Sequence, residues 1–386
     1  MGGQRTYIFV QADDLTGAAE IGGIAFQYGL TVRILLGQRP TRSFPEEVVI
    51  IDTASRSYEP EKAYQVIRGL ISGLDLFGFD LIFKKTDSLL RGAVVAEIRA
   101  LLAELELDRV LLIPANPSRG RIIKDARMFI GGKPVHETGF RMDPLHPRFS
   151  EKVGELLEDE EMVVTGNDPA VFTDGKIFVP DIESEKDITD QLSKITLSGV
   201  LPAGGSDLFR TILSRNLRLK PALDPVLPAK PVSHHFIAGS HSDSSLHTAN
   251  RLNSKGYDVF ELPGRAIREE SYFMEWIGRI RNAIEKGGTL MVTGPLEIMD
   301  DPDCARGIVE KLVRATKVVV EHSIPGTHLF MEGGETASAF FRYMGWGELL
   351  VRQVHDVGVV TLQPVDGDLE VTVKPGSYAW PDYLLK

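Results

Sequence analysis

Short, apolar, β-prone runs alternate with segments of helical apolar spacing through most of this chain, and this alternation constrains the fold more than any other feature. The runs that predict strands in the first half are residues 7–10, 31–36, 48–51, 81–83 and 110–113. Helical spacing lies between them, at residues 16–28, 61–74 and 92–105. Strands alternating with helices predict an α/β fold, in which a mostly parallel sheet is covered by helices on both faces.

A proline-rich stretch interrupts the alternation near the middle of the chain. The stretch contains four prolines, which are Pro221, Pro225, Pro228 and Pro231. Each proline removes an amide donor and disfavours helix at the preceding residue. Beyond them, strands are predicted at residues 236–238, 289–292 and 328–331. Because 386 residues exceed what one core usually supports, we predict two domains, each a mostly parallel sheet flanked by helices, with a cleft between them. Their predicted bounds are residues 1–220 and 234–386, with a linker at 221–233.

Composition excludes several classes of protein. Cys304 is the single cysteine, so neither a disulfide framework nor a thiolate zinc site is possible, which fits a reducing cytoplasm. The formal charge of −11 argues against non-specific binding of nucleic acid. No apolar run is long enough to span a bilayer, and the opening residues lack the form of a secretory signal. We therefore expect a cytoplasmic protein with small-molecule partners, and leave a homo-oligomer open.

Two adjacent acids, Asp13 and Asp14, directly follow the first predicted strand. Ligands of open α/β sheets bind outside the carboxyl ends of the strands. Carboxylates at this point can accept hydrogen bonds from substrate hydroxyls, and one of them can act as a base. The alternative is that Asp14 or Thr16 caps the next helix. Both readings can hold together, because the two acids point in different directions.

A polar segment after the strand at residues 81–83 combines cations with an acid. Its candidate substrate contacts are Lys84, Lys85, Asp87, Ser88 and Arg91. Successive strand residues face opposite ways, so one lysine can point towards a site and the other away from it. Arg91 precedes the next predicted helix, where a cation is unfavourable unless an anion lies nearby. A bound carboxylate would supply that anion and suits the arginine fork; the alternative is a solvated cluster around Asp87.

Residues 114–144 form a long polar segment with little helical pattern. Segments of this length within compact domains are usually functional or disordered. Candidate contacts to a polyhydroxylated anion are Arg119, Arg121, Asp125, His136 and Asp143. A lone His136 is more often structural than catalytic, and the absence of paired-histidine spacing leaves metal binding weakly supported. No residue is assigned as a metal ligand.

Glycines and hydroxyl residues follow two predicted strands of the second half, as Gly333-Gly334-Glu335-Thr336 and as residues 239–242. Glycine lets the backbone approach a ligand closely, and a helix that starts there offers free amides to a phosphate. Neither segment is a Walker A loop or a dinucleotide fingerprint. The alternative for each is a tight turn followed by an ordinary helix cap.

Taken together, seven segments resemble the four-carbon acid sugar kinases, a family that includes D-threonate, D-erythronate and 3-oxo-tetronate kinases. The matching segments are residues 12–18, 84–92, 114–120, 134–138, 239–242, 333–336 and 374–377, in the family's order. The resemblance implies an N-terminal domain that binds the sugar acid and a C-terminal domain that binds ATP. Carried over position by position, it implies nucleotide contacts at Ser240, Gly333, Gly334, Glu335, Thr336 and Gly376.

The chain departs from the family pattern at several positions. Glu335 stands where the family usually has aspartate, and Ala126 stands where a glycine usually follows Asp125. Residues 116–120 and 376–379 also differ from the usual Pro-Ala-Gln-Gly and Gly-Asn-Phe-Gly runs. These departures leave the class intact and leave open which four-carbon acid is used.

The resulting hypothesis is an ATP-dependent kinase acting on the terminal hydroxyl of a four-carbon sugar acid. Lys84 or Lys85, with Arg91, would hold the acid's carboxylate, while Asp13 or Asp14 would accept the hydroxyl proton. The glycines at 333 and 334 would cradle the phosphates of ATP, with Mg²⁺ bridging them. Closure of the domains would exclude water. A Schiff-base aldolase, a dehydrogenase and a non-catalytic sensor stay open as alternatives, although the dinucleotide fingerprint is missing.

Overall fold

A computed structural model of the chain describes residues 5–40, 44–76, 78–143, 146–159, 162–168, 172, 175–222, 233–239, 243–295 and 302–385. The chain divides into two compact units, Met1–Ala222 and Leu223–Lys386. The predicted linker falls mostly on residues 223–232, which lie outside the described residues. In the part of the chain that the structure describes, no helix combines the length and apolar character that crossing a membrane requires.

The N-terminal unit is built on a parallel sheet of eight strands. The described strands of the whole unit, including three that lie outside this sheet, are β1 Ile8–Ala12, β2 Val32–Leu36, β3 Val48–Asp52, β4 Leu81–Lys85, β5 Val110–Ile113, β6 Arg121–Lys124, β7 Arg127–Ile130, β8 Lys133–Pro134, β9 Val163–Thr165, β10 Ile177–Val179 and β11 Leu201–Gly204. Its helices are α1 Leu15–Gln27, α2 Pro60–Ile71, α3 Val94–Leu105, α4 Val153–Leu157, α5 Glu185–Lys194 and α6 Ser206–Arg215. The large sheet has the order β2-β3-β1-β4-β11-β5-β10-β9, and all of its strand pairs are parallel.

The strands of this sheet are apolar because helices cover them. All five residues of β1, of β2 and of β3 are buried, as a parallel sheet enclosed on both faces requires. The strands β6, β7 and β8 instead form a small antiparallel sheet within the polar segment 114–144. The sequence pattern did not predict this sheet, because charged residues interrupt its apolar alternation.

The C-terminal unit holds a second, mixed sheet. Its strands are β12 Ser233–Ala238, β13 Asp258–Glu261, β14 Leu290–Thr293, β15 Thr327–Glu332, β16 Glu348–Asp356, β17 Val359–Pro364 and β18 Glu370–Lys374. Its helices are α7 Asp243–Asn253, α8 Gly264–Arg268, α9 Glu270–Glu285, α10 Pro302–His322 and α11 Gly334–Tyr343. The strand order is β13-β14-β12-β15-β18-β17-β16. The pairs from β13 to β18 are parallel, and β17 pairs antiparallel with both β18 and β16. The predicted α/β class with mostly parallel sheets is confirmed, and the antiparallel edge is an addition to it.

Stacked aromatic rings pack the centre of this second unit. The rings of Phe236 and Phe330 lie 4.8 Å apart on neighbouring strands, and Trp380 meets both edge-on. Such contacts stabilise a core beyond the area that they bury. They hold β12 and β15 in register, so that Ala238 pairs with Glu332 at the carboxyl ends of these strands.

Candidate functional site

The carboxyl ends of four neighbouring strands of the N-terminal unit meet at one edge of its sheet. Ala12 of β1 is in register with Asp52 of β3 and with Lys85 of β4, and Lys85 is in register with Gly204 of β11. The segments that follow these strands, residues 13–14, 53–56 and 86–92, therefore converge. This is the edge at which parallel α/β sheets bind ligands.

Arg56 lies at the centre of this edge and contacts three carboxylates. Its Nε is 2.7 Å from Asp13 Oδ2, its Nη2 is 2.8 Å from Asp14 Oδ1, and the same Nη2 is 3.8 Å from Asp87 Oδ1. Arg56 is not among the site residues predicted from the sequence. The available signal was its position, as an arginine in the turn after the third strand, where ligands of this fold class bind.

Charge keeps two of these carboxyl groups ionised although both are buried. Burial alone raises the pKa of Asp13, but the charges of Arg56 and Lys84 outweigh it and leave the pKa below its usual value. Burial likewise raises the pKa of Asp87, and Arg91 and Arg56 bring it well below its usual value. Both acids are therefore carboxylates, able to accept hydrogen bonds, near neutral pH.

Asp13 and Asp14 differ in what their oxygens already bind. Asp14 caps α1: its Oδ1 accepts a 2.8 Å bond from the Gly17 amide, and its Oδ2 accepts from the Thr16 hydroxyl. Asp14 is thus the helix cap that the sequence analysis considered. Asp13 uses Oδ2 for Arg56, whereas its buried Oδ1 has no hydrogen-bond partner among the described residues. An uncompensated buried acceptor is costly, so Asp13 is poised to receive a donor.

Arg91 is bound by two acids. Asp87 accepts from its Nε at 2.9 Å and from its Nη2 at 3.0 Å, while Nη1 donates to Asp143 at 2.7 Å. In the loop between Asp87 and Arg91, Leu90 has a positive φ of 58°. At Gly92, just after this loop, a Cβ atom would lie 2.9 Å from the backbone of Arg56. This tight loop brings Arg91 and Arg56 to the same acid, Asp87.

Lys84 and Lys85 point to opposite sides of the sheet, as the strand period requires. Lys84 is fully buried, with Nζ 2.5 Å from Glu97 on α3, and Lys85 lies 3.5 Å from Glu20 on α1. The side chains of Arg56 and Arg91 are 18% and 22% exposed. The arginines are therefore more exposed than the lysines, and the contact of Lys84 or Lys85 with a ligand carboxylate stays a prediction.

The four remaining predicted residues of this unit lie on four different segments. Ser88, next to Asp87 in the chain, accepts a hydrogen bond from Arg121. Arg119 follows β5 in a single 3-10 turn. Asp125 is exposed in the turn between β6 and β7, and His136 lies 2.8 Å from Glu151. Among the described residues, no hydrogen bond or ion pair joins Asp125 or His136 to Arg56. Their contacts to substrate stay predictions.

In the C-terminal unit, glycines line the ends of adjacent strands. Gly239 follows β12 and donates to Glu332 O at 2.9 Å, and Gly333 follows β15 and donates to Lys374 O at 3.0 Å. Gly333 has a φ of 100°, a conformation that favours glycine, and it directly precedes α11. The predicted turn before a helix is therefore present at Gly333 and Gly334.

A close contact joins two of these glycine segments. A Cβ at Gly239 would lie 1.9 Å from the hydroxyl of the buried Thr336, so only glycine fits there. Glu335 is exposed in the first turn of α11, and Gly376 lies in the turn after β18. The predicted contact Ser240 lies outside the described residues. Among the described residues, no three His, Cys, Asp or Glu side chains are arranged so that they could hold a metal ion.

Comparison with known proteins places these features in a class. Residues 8–198 match the family model described as a sugar-binding N-terminal domain. A D-threonate kinase of Bordetella bronchiseptica is 26% identical over all of this chain and 97% of its own length. A 3-oxo-tetronate kinase of Haemophilus influenzae is 23% identical over 97% of each chain.

The fold is shared with a solved structure. A Haemophilus influenzae protein superposes with a TM-score of 0.68 over 97% of this chain and 98% of its own, at 19% identity. The molecule is thus a two-unit α/β protein with polar clusters at the carboxyl ends of its parallel strands. The chain belongs to the four-carbon acid sugar kinase family, as its seven matching segments implied.

Proposed function

We propose that this protein is a kinase that transfers a phosphoryl group from ATP to the terminal hydroxyl of a four-carbon sugar acid. The observation that carries this proposal is the similarity, over essentially the full chain, to relatives named as D-threonate and 3-oxo-tetronate kinases. The geometry agrees with it. Phosphoryl transfer needs positioned carboxylates and cations for the acceptor, and backbone amides for the phosphates, rather than covalent chemistry by the protein.

In the proposed reaction, the N-terminal unit binds the sugar acid. Arg56 and Arg91 are partly exposed, and the N–H groups that their own acid partners do not use can donate to the carboxylate of the sugar acid. Asp13 is the proposed base, because its buried Oδ1 lacks a partner among the described residues and can accept the proton of the attacking hydroxyl. Asp14 orients Arg56 and caps α1.

The C-terminal unit is the proposed nucleotide-binding half. The turn at Gly333 and Gly334 and the turn carrying Gly376 follow adjacent parallel strands. The first amides of a helix such as α11 have no acceptor within the helix and can bind a phosphate. Mg²⁺ is proposed to arrive with ATP and to keep mainly water and phosphate ligands, as this ion commonly does.

A substrate panel tests the proposal. The protein is incubated with ATP, Mg²⁺ and each of D-threonate, L-threonate, D-erythronate and the 3-oxo-tetronates, and release of ADP is followed. We expect turnover with at least one acid and little ADP without acid. Binding of an acid without turnover of any panel member would point to the sensor alternative instead.

A further inference from the structure

A lysine and a glutamate are buried together beneath the glycine turns of the C-terminal unit. Lys374, the last residue of β18, and Glu332, the last residue of β15, are in register on adjacent strands and only 0% and 1% exposed. Lys374 Nζ lies 2.8 Å from Glu332 Oε2. Charged residues are rarely buried this completely unless they are paired.

The ammonium group of Lys374 holds the turn that follows its own strand. It donates to Tyr378 O at 2.6 Å and to Pro375 O at 3.2 Å, so it spans the turn that carries Gly376. The same group lies 5.2 Å from the centre of the Trp380 ring. These two hydrogen bonds from the buried Lys374 side chain fix the backbone conformation of residues 375–378.

Glu332 joins that turn to two further segments. Its side chain accepts a hydrogen bond from Ser245 on α7, and its carbonyl oxygen accepts from Gly239. Its backbone leads directly into Gly333. Through Lys374 and Glu332, Gly239 after β12 and the turns after β15 and β18 are all connected to one buried ion pair.

Stability alone does not explain such a pair. Removing two charges from water is costly, and replacement of a buried pair by apolar residues is often neutral or stabilising. A pair retained at the ends of two strands is better explained by the geometry that it imposes. Here that geometry is the relative placement of amides in the Gly333 and Gly376 turns.

We propose that Lys374 and Glu332 are positioning residues for the nucleotide, which fix the Gly333–Thr336 and Pro375–Tyr378 turns as one preformed cradle for its phosphates. This inference rests on the proposed function of the C-terminal unit. It assigns no direct contact with ATP to either side chain, because both are buried. Preorganised turns bind a ligand more tightly than turns that must be ordered on binding.

The double variant K374M/E332Q tests the inference. It removes both charges together, so that no buried charge is left without its partner. We expect the KM for ATP to rise about tenfold, the equivalent of one or two lost hydrogen bonds, with the KM for the sugar acid changed less than about twofold. The matched control is T361V. Thr361 is a buried residue of the same sheet that bonds to His355 and Thr372 at 2.7 Å. This control should lower stability without changing the KM for ATP.

The single variant E332Q adds a readout that a purely structural role would not move. Burial already lowers the pKa of Lys374, and Glu332 opposes that effect. Without the carboxylate, Lys374 loses its proton at a lower pH, so the KM for ATP should rise with pH in E332Q more steeply than in the wild type.

Direct titration of wild-type protein with ATP distinguishes failure of the proposed kinase function from failure of the proposed positioning role. Absence of ATP binding to the wild type would defeat the proposed function, whatever the variants do. Binding of ATP by the wild type, together with an unchanged KM for ATP in K374M/E332Q and an unchanged pH profile in E332Q, would overturn the positioning role.

Discussion

Two neighbouring aspartates with the same chemistry have separate surroundings in this protein. Both oxygens of Asp14 are engaged by the start of α1 and by Arg56, whereas Asp13 keeps one buried oxygen without a partner among the described residues. Sequence alone places both acids at the strand end and cannot separate them, because the difference lies in which way each carboxyl group points. The contacts of Arg56 show that difference.

Replacement of each aspartate by asparagine tests the assignment of the base. We expect D13N to lower kcat by about 10² to 10⁴-fold, the usual contribution of a general base. Asparagine caps a helix about as well as aspartate, so D14N should keep the fold and lower kcat by a clearly smaller factor. Steady-state kinetics with circular dichroism as the folding control measures both. A larger kcat loss in D14N than in D13N would contradict the assignment.

At the scale of elements, the sequence predicts what depends on local pattern. The parallel strands and the helix after Gly333 follow from apolar period and glycine placement, and both are present. Contacts between distant elements are not predictable in this way. Arg56 reaches three acids only because β3, β1 and β4 are neighbours, and Lys374 meets Glu332 only because β18 lies beside β15. The hairpin of β6 and β7 was missed because its strands are short and charged.

The turn of that hairpin offers a test of local strain. Asp125 and Ala126 have positive φ angles of 49° and 57°, and Lys124 pairs with Arg127 across the turn. Two-residue hairpin turns of this kind favour glycine at the second position, where this chain has alanine. We expect A126G to stabilise the protein by about 1 kcal/mol, since left-handed backbone costs roughly that much for residues other than glycine.

Thermal unfolding measures this effect, and A103G is the matched control. Ala103 is exposed within α3, where the same substitution should destabilise by about 1 kcal/mol. Loss of stability in both variants would show that Ala126 is not strained.

At the scale of the whole molecule, the two units carry different chemical groups. The N-terminal unit concentrates paired acids and arginines at its sheet edge, and the C-terminal unit concentrates glycine turns over a buried ion pair. The division of labour between the units, and the cleft expected from the sequence, stay predictions. The three tryptophans, residues 276, 346 and 380, all lie in the C-terminal unit, so their fluorescence reports on that unit.

Two buried histidines make the stability of the C-terminal unit depend on pH. Burial, with the charges of His234 and His328 respectively, lowers the pKa of His235 and of His355 to about 4. The unfolded chain has the ordinary value near 6.5, so between about pH 6.5 and 4 it binds more protons than the folded state. Stability is therefore complete above pH 6.5 and falls as the pH falls, by about 1.4 kcal/mol per unit for each histidine.

Urea unfolding followed by tryptophan fluorescence between pH 5 and 8 measures this dependence. We expect the free energy of unfolding to be nearly constant from pH 7 to 8 and to drop below pH 6.5, with a shallower drop in H355N. Equal slopes in the wild type and H355N would show that His355 is not the titrating group.

The central claim is transfer of phosphate from ATP to the terminal hydroxyl of a four-carbon sugar acid. Its most direct measurement is ³¹P and ¹³C NMR of the product formed with the best acid of the panel. The account predicts a phosphate monoester coupled to the terminal carbon, formed by the wild type and nearly absent with D13N. A product phosphorylated on another atom, or ATP consumed without any ester of the acid, would contradict it.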